Sequence, residues 1–189
     1  MSNLYNERKA AQAAAYLLFR AGGQEYLIKL VKLMCLAERY SLKEYGVPLT
    51  GDSLVSMEHG PVLSRTYNKM NGAFRSVEGG WDTWISDRSG HQLALKIPDS
   101  VRDPLSDLLD LSDSDIEALS SVWSEFGHWD RWALVEYTHK NLAEWRDPGQ
   151  SSFPIRYEEV FEALGYSSEQ VSAMSKCIYT QERLHAAFS

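Results

Sequence analysis

The sequence predicts a mainly helical domain of the α+β class with a small antiparallel β-sheet of two or three strands. Three observations support this prediction. Apolar residues recur at helical spacing over several segments, short runs of strand character lie between them, and glycine or proline separates the segments. The chain of 189 residues has no internal repeat and no long linker.

Two long helices are predicted near the N-terminus. The first runs from about Asn3 to Arg20, is rich in alanine and ends at Gly22-Gly23. The second lies within YLIKLVKLMCLAERYSLKEYG, where the apolar residues form one face and the lysines lie mostly on another. Gly46 ends this helix, and Pro48 prevents its continuation.

A strand followed directly by a helix is predicted for TGDSLVSMEHGPVLSRTYNKM. The strand covers about Ser53–Glu58, and Gly60 closes it. Pro61 is predicted at the first helical position, because its missing N–H would be unpaired there in any case. Asn71-Gly72 ends the helix.

The remaining elements are predicted from turn and capping signals. The segment DRSGH separates two short apolar runs and predicts a hairpin. Serine followed three residues later by aspartate is an acidic form of the capping box. In chain order, we expect strands at about Thr83–Asp87 and Gln92–Ile97, a helix from Ser112 to Gly127, a helix after Asp130, and helices at about Tyr157–Leu164 and Ser168–Ala187. We expect residues 1–150 to form one domain and residues 151–189 to form a helical extension that packs on it.

Composition and charge limit the classes of function. The net charge of −7 disfavours non-specific binding to nucleic acid. The apolar stretches are far shorter than the roughly 20 residues that cross a bilayer, and the N-terminus does not resemble a secretory signal. The two cysteines lie in helical patterns and form no disulfide framework. We therefore expect reduced thiols and a cytoplasmic protein that does not bind membranes.

Acidic residues are concentrated between Asp99 and Glu117. This segment holds seven acidic residues and one basic residue. One interpretation is a solvated face with acids at helix N-termini. The other is a docking stripe for a basic partner, in which Asp107, Asp110 and Asp113 would make the contacts.

The sequence carries no visible set of catalytic residues. It lacks His-Glu-x-x-His, Cys-x-x-Cys and a P-loop, so we expect neither a metal nor a cofactor. Cys35 is predicted to be buried and inert. Glu58 and His59 could act as acid and base, but neighbours on a strand point to opposite faces. His139 is predicted to cap a helix C-terminus or to pack near it. The aromatic residues of the run HWDRWALVEYTH are predicted to lie in the hydrophobic core rather than in a binding groove.

Several motifs occur in an order that is known from one family. The helix LIKLVKLMCLAERY, the turn YGVPLTGD and the joint GPV are followed by LALKI, LSDSDIEALSSVWSEFG and LVEYTHKNLAEW. In this order they closely resemble the Panacea domain of SocA-like antitoxins and phage-associated GepA-like proteins, over roughly residues 10 to 150. Cys35 stands where the family usually has Tyr, and Glu38 replaces Asp. We expect these departures to affect partner choice more than the fold.

The resemblance implies a compact Panacea-type domain and the function of an antitoxin, which binds a toxin encoded beside it and neutralises it without catalysis. One branch of the family delivers its toxin to an AAA+ protease, so a proteolytic adaptor is an alternative. A small hydrolase or transferase that uses Glu58, His59, Asp52 or His139 is a second alternative. A DNA-binding repressor is a third, and homo-oligomerisation is left open.

The resemblance also directs attention to the joint at Gly60-Pro61. An exposed sheet edge or a groove beside this joint is the predicted docking surface for the toxin. The candidate partner-binding residues are Asp52, Glu58, His59, Gly60, Pro61, Tyr67, Asp107, Asp110 and Asp113.

Overall fold

The computed structural model describes residues 4–188 of the chain. This part contains nine helices and five strands, and the predicted class, mainly α with small antiparallel sheets, is confirmed. The elements are α1 (Glu7–Arg20), β1 (Gln24–Tyr26), α2 (Leu27–Tyr45), β2 (Leu54–Met57), β3 (Gly60–Leu63), α3 (Ser64–Met70), α4 (Trp81–Trp84), β4 (Gln92–Ala94), α5 (Pro104–Asp107), α6 (Asp113–Phe126), α7 (Arg131–Asn141), β5 (Phe153–Ile155), α8 (Tyr157–Ala163) and α9 (Ser168–Phe188).

Helix α2 is the centre of the hydrophobic core. It contacts α1, α6, α7, α8, β1 and β3. Its apolar residues pack into one buried cluster with side chains from these neighbours. The helix ends at Gly46, whose φ of 71° is left-handed, so the predicted glycine stop is confirmed.

The caps predicted from local sequence are also confirmed. The Ser112 side chain accepts a hydrogen bond from the backbone N–H of Asp115, whose carboxylate accepts one in return from the N–H of Ser112. Asp130 caps α7 by accepting from the N–H of Trp132. Helix α1 begins at Glu7, with Asn6 as its N-cap, rather than near Asn3, which lies outside the described residues.

The strand-to-helix joint differs from the prediction. Strands β2 and β3 form an antiparallel hairpin, in which Ser56 lies opposite Pro61. Pro61 is therefore in a strand and not at the start of a helix, and α3 begins at Ser64. Proline is tolerated here because β3 is an edge strand of the sheet β3-β2-β5 and one row of its N–H groups is not needed for pairing.

The predicted hairpin over residues 83–97 is found only in part. The predicted first strand begins inside the helical turn α4, which buries Trp81, and the residues after Trp84 form no regular strand. Strand β4 pairs instead with β1, which has no counterpart among the predicted elements. The two halves still pair locally, since bridges join Ile85 to Leu95 and Ser89 to Gln92. The backbone N–H groups of Ser86 and Lys96 also donate to the backbone oxygens of Ala94 and Trp84.

The segment after residue 150 contributes a strand as well as two helices. Strand β5, which the sequence did not predict, pairs with β2 across from β3. Helix α8 contacts α2, and α9 packs on α8. Within residues 4–188, no helix combines the length and apolar character that crossing a membrane requires.

Candidate functional site

Glu58 and His59 form the tight turn of the β2–β3 hairpin, and both are exposed. The expectation that strand geometry points them to opposite faces is wrong, because neither residue is in a strand. Gly60 follows with a φ of +96°, and a Cβ at this position would lie 2.6 Å from Thr138 Oγ1 and 2.9 Å from Lys32 Nζ. Glycine thus allows both the left-handed backbone and the close approach of α2 and α7.

A concave pocket of about 560 Å³ opens beside this turn, where the hairpin meets the start of α2 and the start of α7. We call it the hairpin pocket. Its lining combines cationic, aromatic and imidazole side chains with one carboxylate: Lys32, Arg88, Arg131, Tyr26, Tyr67, Trp132, His59, His91 and Glu58. A ligand-sized cavity with few polar groups among apolar ones is typical of a binding site.

Lys32 is the most buried charged group of the pocket wall, with an exposed fraction of 1 %. Its Nζ donates a hydrogen bond of 2.9 Å to the backbone oxygen of Pro61, and burial lowers its pKa to about 8. No described carboxylate forms an ion pair with it. In contrast, the partly or largely buried Lys29 and Lys69 pair with Glu25 and Glu7, each at 2.9 Å.

The two arginines of the pocket also lack carboxylate partners among the described residues. The Arg131 guanidinium lies over the Tyr26 ring, 3.9 Å from its centroid, an arrangement that a cation and an aromatic face favour. Arg88 donates to the Gly90 backbone oxygen at 2.6 Å and to Asn71 Oδ1 at 2.7 Å. The pocket therefore holds three cations that form no ion pair with a described carboxylate, although Glu58 lines the same pocket.

Two buried acids, neither of which lines the pocket, bind polar groups within the fold. Glu38 accepts hydrogen bonds from the N–H and hydroxyl of Thr50, and burial raises its pKa to about 7. Asp52 accepts from the backbone N–H groups of Ser53, Arg65 and Thr66 and from the Thr66 hydroxyl. Burial raises the pKa of Asp52 in spite of these bonds. The Asp52 carboxylate is 1 % exposed and is occupied by the start of α3.

The acidic segment lies apart from the hairpin pocket, whose lining contains none of its residues. Asp107 accepts from two backbone N–H groups, which lower its pKa. Asp110 accepts from Gln12 Nε2 at 2.6 Å and pairs with Arg8 at 3.3 Å. Asp113 is exposed at the start of α6. Of the three candidate aspartates, two are thus already engaged within the chain.

The candidate acids and bases do not form a hydrogen-bonded set. Glu58 and His59 line the same pocket, but no hydrogen bond joins them among the described contacts. His139 stacks on Trp145 at 4.0 Å, and burial and then the charge of Lys32 lower its pKa. Cys35 is buried as predicted, and its burial raises the thiol pKa to about 12. No cluster of three or more His, Cys, Asp or Glu suited to a metal ion occurs within residues 4–188.

Of the nine candidate residues, the structure brings four to the hairpin pocket: Glu58, His59, Gly60 and Tyr67. Sequence reasoning missed its cations and Tyr26. A signal was present for Lys32, which lies inside the apolar run of α2 and is flanked by Val31 and Leu33. The Trp-rich run HWDRWALVEYTH contributes both to the core and to the pocket. Trp129 packs against Phe126, and Trp132 lines the pocket.

These features define a mainly helical α+β domain that presents a cationic, aromatic pocket beside a β-hairpin. The chain belongs to the SocA-like antitoxin family, Panacea domain, whose family model matches residues 30–146, more than half of the chain. This match confirms the resemblance noted in the sequence and includes all three cations of the pocket. No curated protein and no solved structure matches the chain.

Proposed function

We propose that this chain is an antitoxin that neutralises a cognate protein toxin by direct binding, with the hairpin pocket and its rim as the docking surface. Membership of the SocA-like antitoxin family supports the first part. The observation that carries the second is the gathering of Glu58, His59 and Tyr67 with exposed aromatic and cationic side chains around one concavity.

The pocket has the composition of an interface centre. Tryptophan, tyrosine and arginine are the residues that contribute most to binding at protein interfaces. Trp132 is 52 % exposed and Tyr26 is 38 % exposed, and Arg131 lies between them, within 5.8 Å of the Trp132 ring centroid. A large aromatic surface that the folded chain leaves in water gains free energy when a partner covers it.

Docking in the groove fits the sheet better than addition of a strand. Strand β2 is flanked on both sides, by β3 and by β5. Strand β3 contacts α2 and α7, which partly cover it. Pairing of an extended toxin segment with β2 would first require the displacement of β5.

Co-expression tests the proposal. The protein encoded by the adjacent gene is induced alone and together with this chain, and growth and co-purification are scored. We expect toxicity that is relieved through a stable complex, and we expect Trp132→Ala to weaken both rescue and complex. Leu184→Ala on α9 is the matched control, because Leu184 has a similar exposed fraction of 55 % but lies outside the pocket. A non-toxic neighbour, or rescue that disappears in a host without its AAA+ proteases, would contradict direct neutralisation.

A hydrolase or transferase is the second candidate function, because Glu58 and His59 share one pocket. The double variant Glu58→Gln, His59→Gln separates the two candidates. If the chain is an enzyme, the double variant should lose rescue of growth while it still binds the toxin. If the chain acts by binding alone, rescue should be lost only to the extent that the complex with the toxin weakens. Rescue and complex formation are therefore measured on the same variant.

A further inference from the structure

We propose that the hairpin pocket receives a single carboxylate side chain of the toxin, with Arg131 and Arg88 as its direct contacts and Lys32 as the buried charge behind them. This inference rests on the proposed function and adds the chemistry of the partner. Lys32, Arg88 and Arg131 all contribute to the pocket wall.

No described carboxylate of this chain pairs with Lys32. Of the described cations, Lys9, Lys29, Arg39 and Lys69 are at least partly buried, and each pairs with a carboxylate at 2.7–2.9 Å. Lys32 is more buried than these, yet within residues 4–188 its Nζ donates to the Pro61 backbone oxygen and pairs with no carboxylate. A buried charge without a counter-ion is costly, and an incoming carboxylate would reduce that cost.

The two arginines of the pocket are held in fixed orientations by their neighbours. Arg131 is held over the Tyr26 ring at 3.9 Å, and this stacking leaves the edge of the guanidinium, with its N–H donors, for an acceptor. Arg88 is fixed by the Gly90 oxygen and by Asn71. Both groups are therefore oriented before a partner arrives, which lowers the entropic cost of binding a carboxylate.

Charge selects a carboxylate on a protein over a polyanion. The chain as a whole carries −7, which repels nucleic acid at long range. Glu58 stands at the pocket and disfavours a group with several negative charges. A single carboxylate beside an apolar side chain matches both the local cations and the aromatic rim formed by Tyr26, Tyr67 and Trp132.

The experiment uses the complex of this chain with the product of the adjacent gene, measured by isothermal titration calorimetry at low and high salt. We expect Lys32→Met and Arg131→Gln to weaken binding about tenfold or more and to reduce its dependence on salt. Arg183→Gln is the matched control. It removes an exposed positive charge from α9, outside the hairpin pocket, and we expect a change below about twofold.

A charge exchange identifies the partner group. Acidic residues of the toxin are changed singly to arginine in a background that carries Arg131→Glu, and one of these changes should restore binding. If both pocket variants bind as tightly as the wild type, the assignment of a toxin carboxylate is wrong while the antitoxin proposal stands. If no complex forms, both proposals fail.

Discussion

Replacement of Lys32 by methionine should make the protein more stable at neutral pH. The buried ammonium has a pKa of about 8, against 10.5 for a free lysine side chain. Each pH unit between the two values corresponds to about 1.4 kcal/mol, so the charged form costs the folded state about 3 kcal/mol at pH 7. Methionine has a similar length and removes this cost.

The hydrogen bond to the Pro61 backbone oxygen offsets part of the gain. Its loss costs about 1 kcal/mol, and the carbonyl keeps a second partner, because Cys35 Sγ lies 3.3 Å away. We therefore expect the Lys32→Met variant to gain about 2 kcal/mol in free energy of unfolding at pH 7.

The dependence of this stability difference on pH shows whether the charge of Lys32 is its cause. The folded pKa of Lys32 is below the unfolded one, so between about pH 8 and pH 10.5 the unfolded state binds more protons and the wild type becomes more stable as pH rises. The advantage of the variant should therefore shrink by about 2 kcal/mol between pH 7 and pH 9.5.

Urea unfolding followed by circular dichroism measures this effect at the two pH values. Lys176→Met, at an exposed position on α9, controls for the loss of a lysine charge and should change stability little at either pH. A Lys32→Met variant that is less stable than the wild type by the same amount at both pH values would refute the view that this charge is held at a cost.

Two further stability predictions follow from the contacts of Glu7 and Gly60. Glu7→Gln should lower the free energy of unfolding by about 2–3 kcal/mol, because Glu7 pairs with Lys69 and accepts from Ser76. Burial opposes ionisation of Glu7, but these hydrogen bonds outweigh it and lower its pKa. In urea unfolding at pH 7 and pH 4, the wild-type advantage should fade as pH falls; an advantage independent of pH would contradict this reasoning. Gly60→Ala should cost about 2–3 kcal/mol in thermal or urea unfolding, since its Cβ would lie 2.6 Å from a hydroxyl oxygen of α7. Gly90→Ala, which has a φ of +60° but no atom within 4 Å of its Cβ, should cost only about 1 kcal/mol, and equal losses would show that the contact is unimportant.

Local rules were sufficient for the helices and their caps. The stop at Gly46 and the caps at Ser112 and Asp130 depend on residues within one turn, and each is found as predicted. The same rules failed for β1 and β5. These strands have three residues each, and their stability comes from partners about 70 and 100 positions away. Such short segments carry almost no periodic signal.

Only part of the hairpin pocket could be predicted from the sequence, because its residues also come from distant segments. The charged pair Glu58-His59 before Gly-Pro marked the place, but we predicted a strand up to Glu58, whereas both residues form a turn. The cations come from α2, from the segment after α4 and from α7. Only the packing of these elements around the hairpin brings Lys32, Arg88 and Arg131 to one cavity, and no spacing in the sequence encodes that proximity.

Strand β5 covers one edge of β2, which would otherwise be free to pair with strands of other molecules. The family model ends at residue 146, whereas the sheet continues to Ile155, which lies opposite Leu54. A chain shortened to the matched region would leave one row of β2 backbone groups unpaired, and such an edge recruits strands from other molecules. Strand β5 thus protects the domain against self-association through β2. A soluble shortened form of this chain should retain residues up to at least 155.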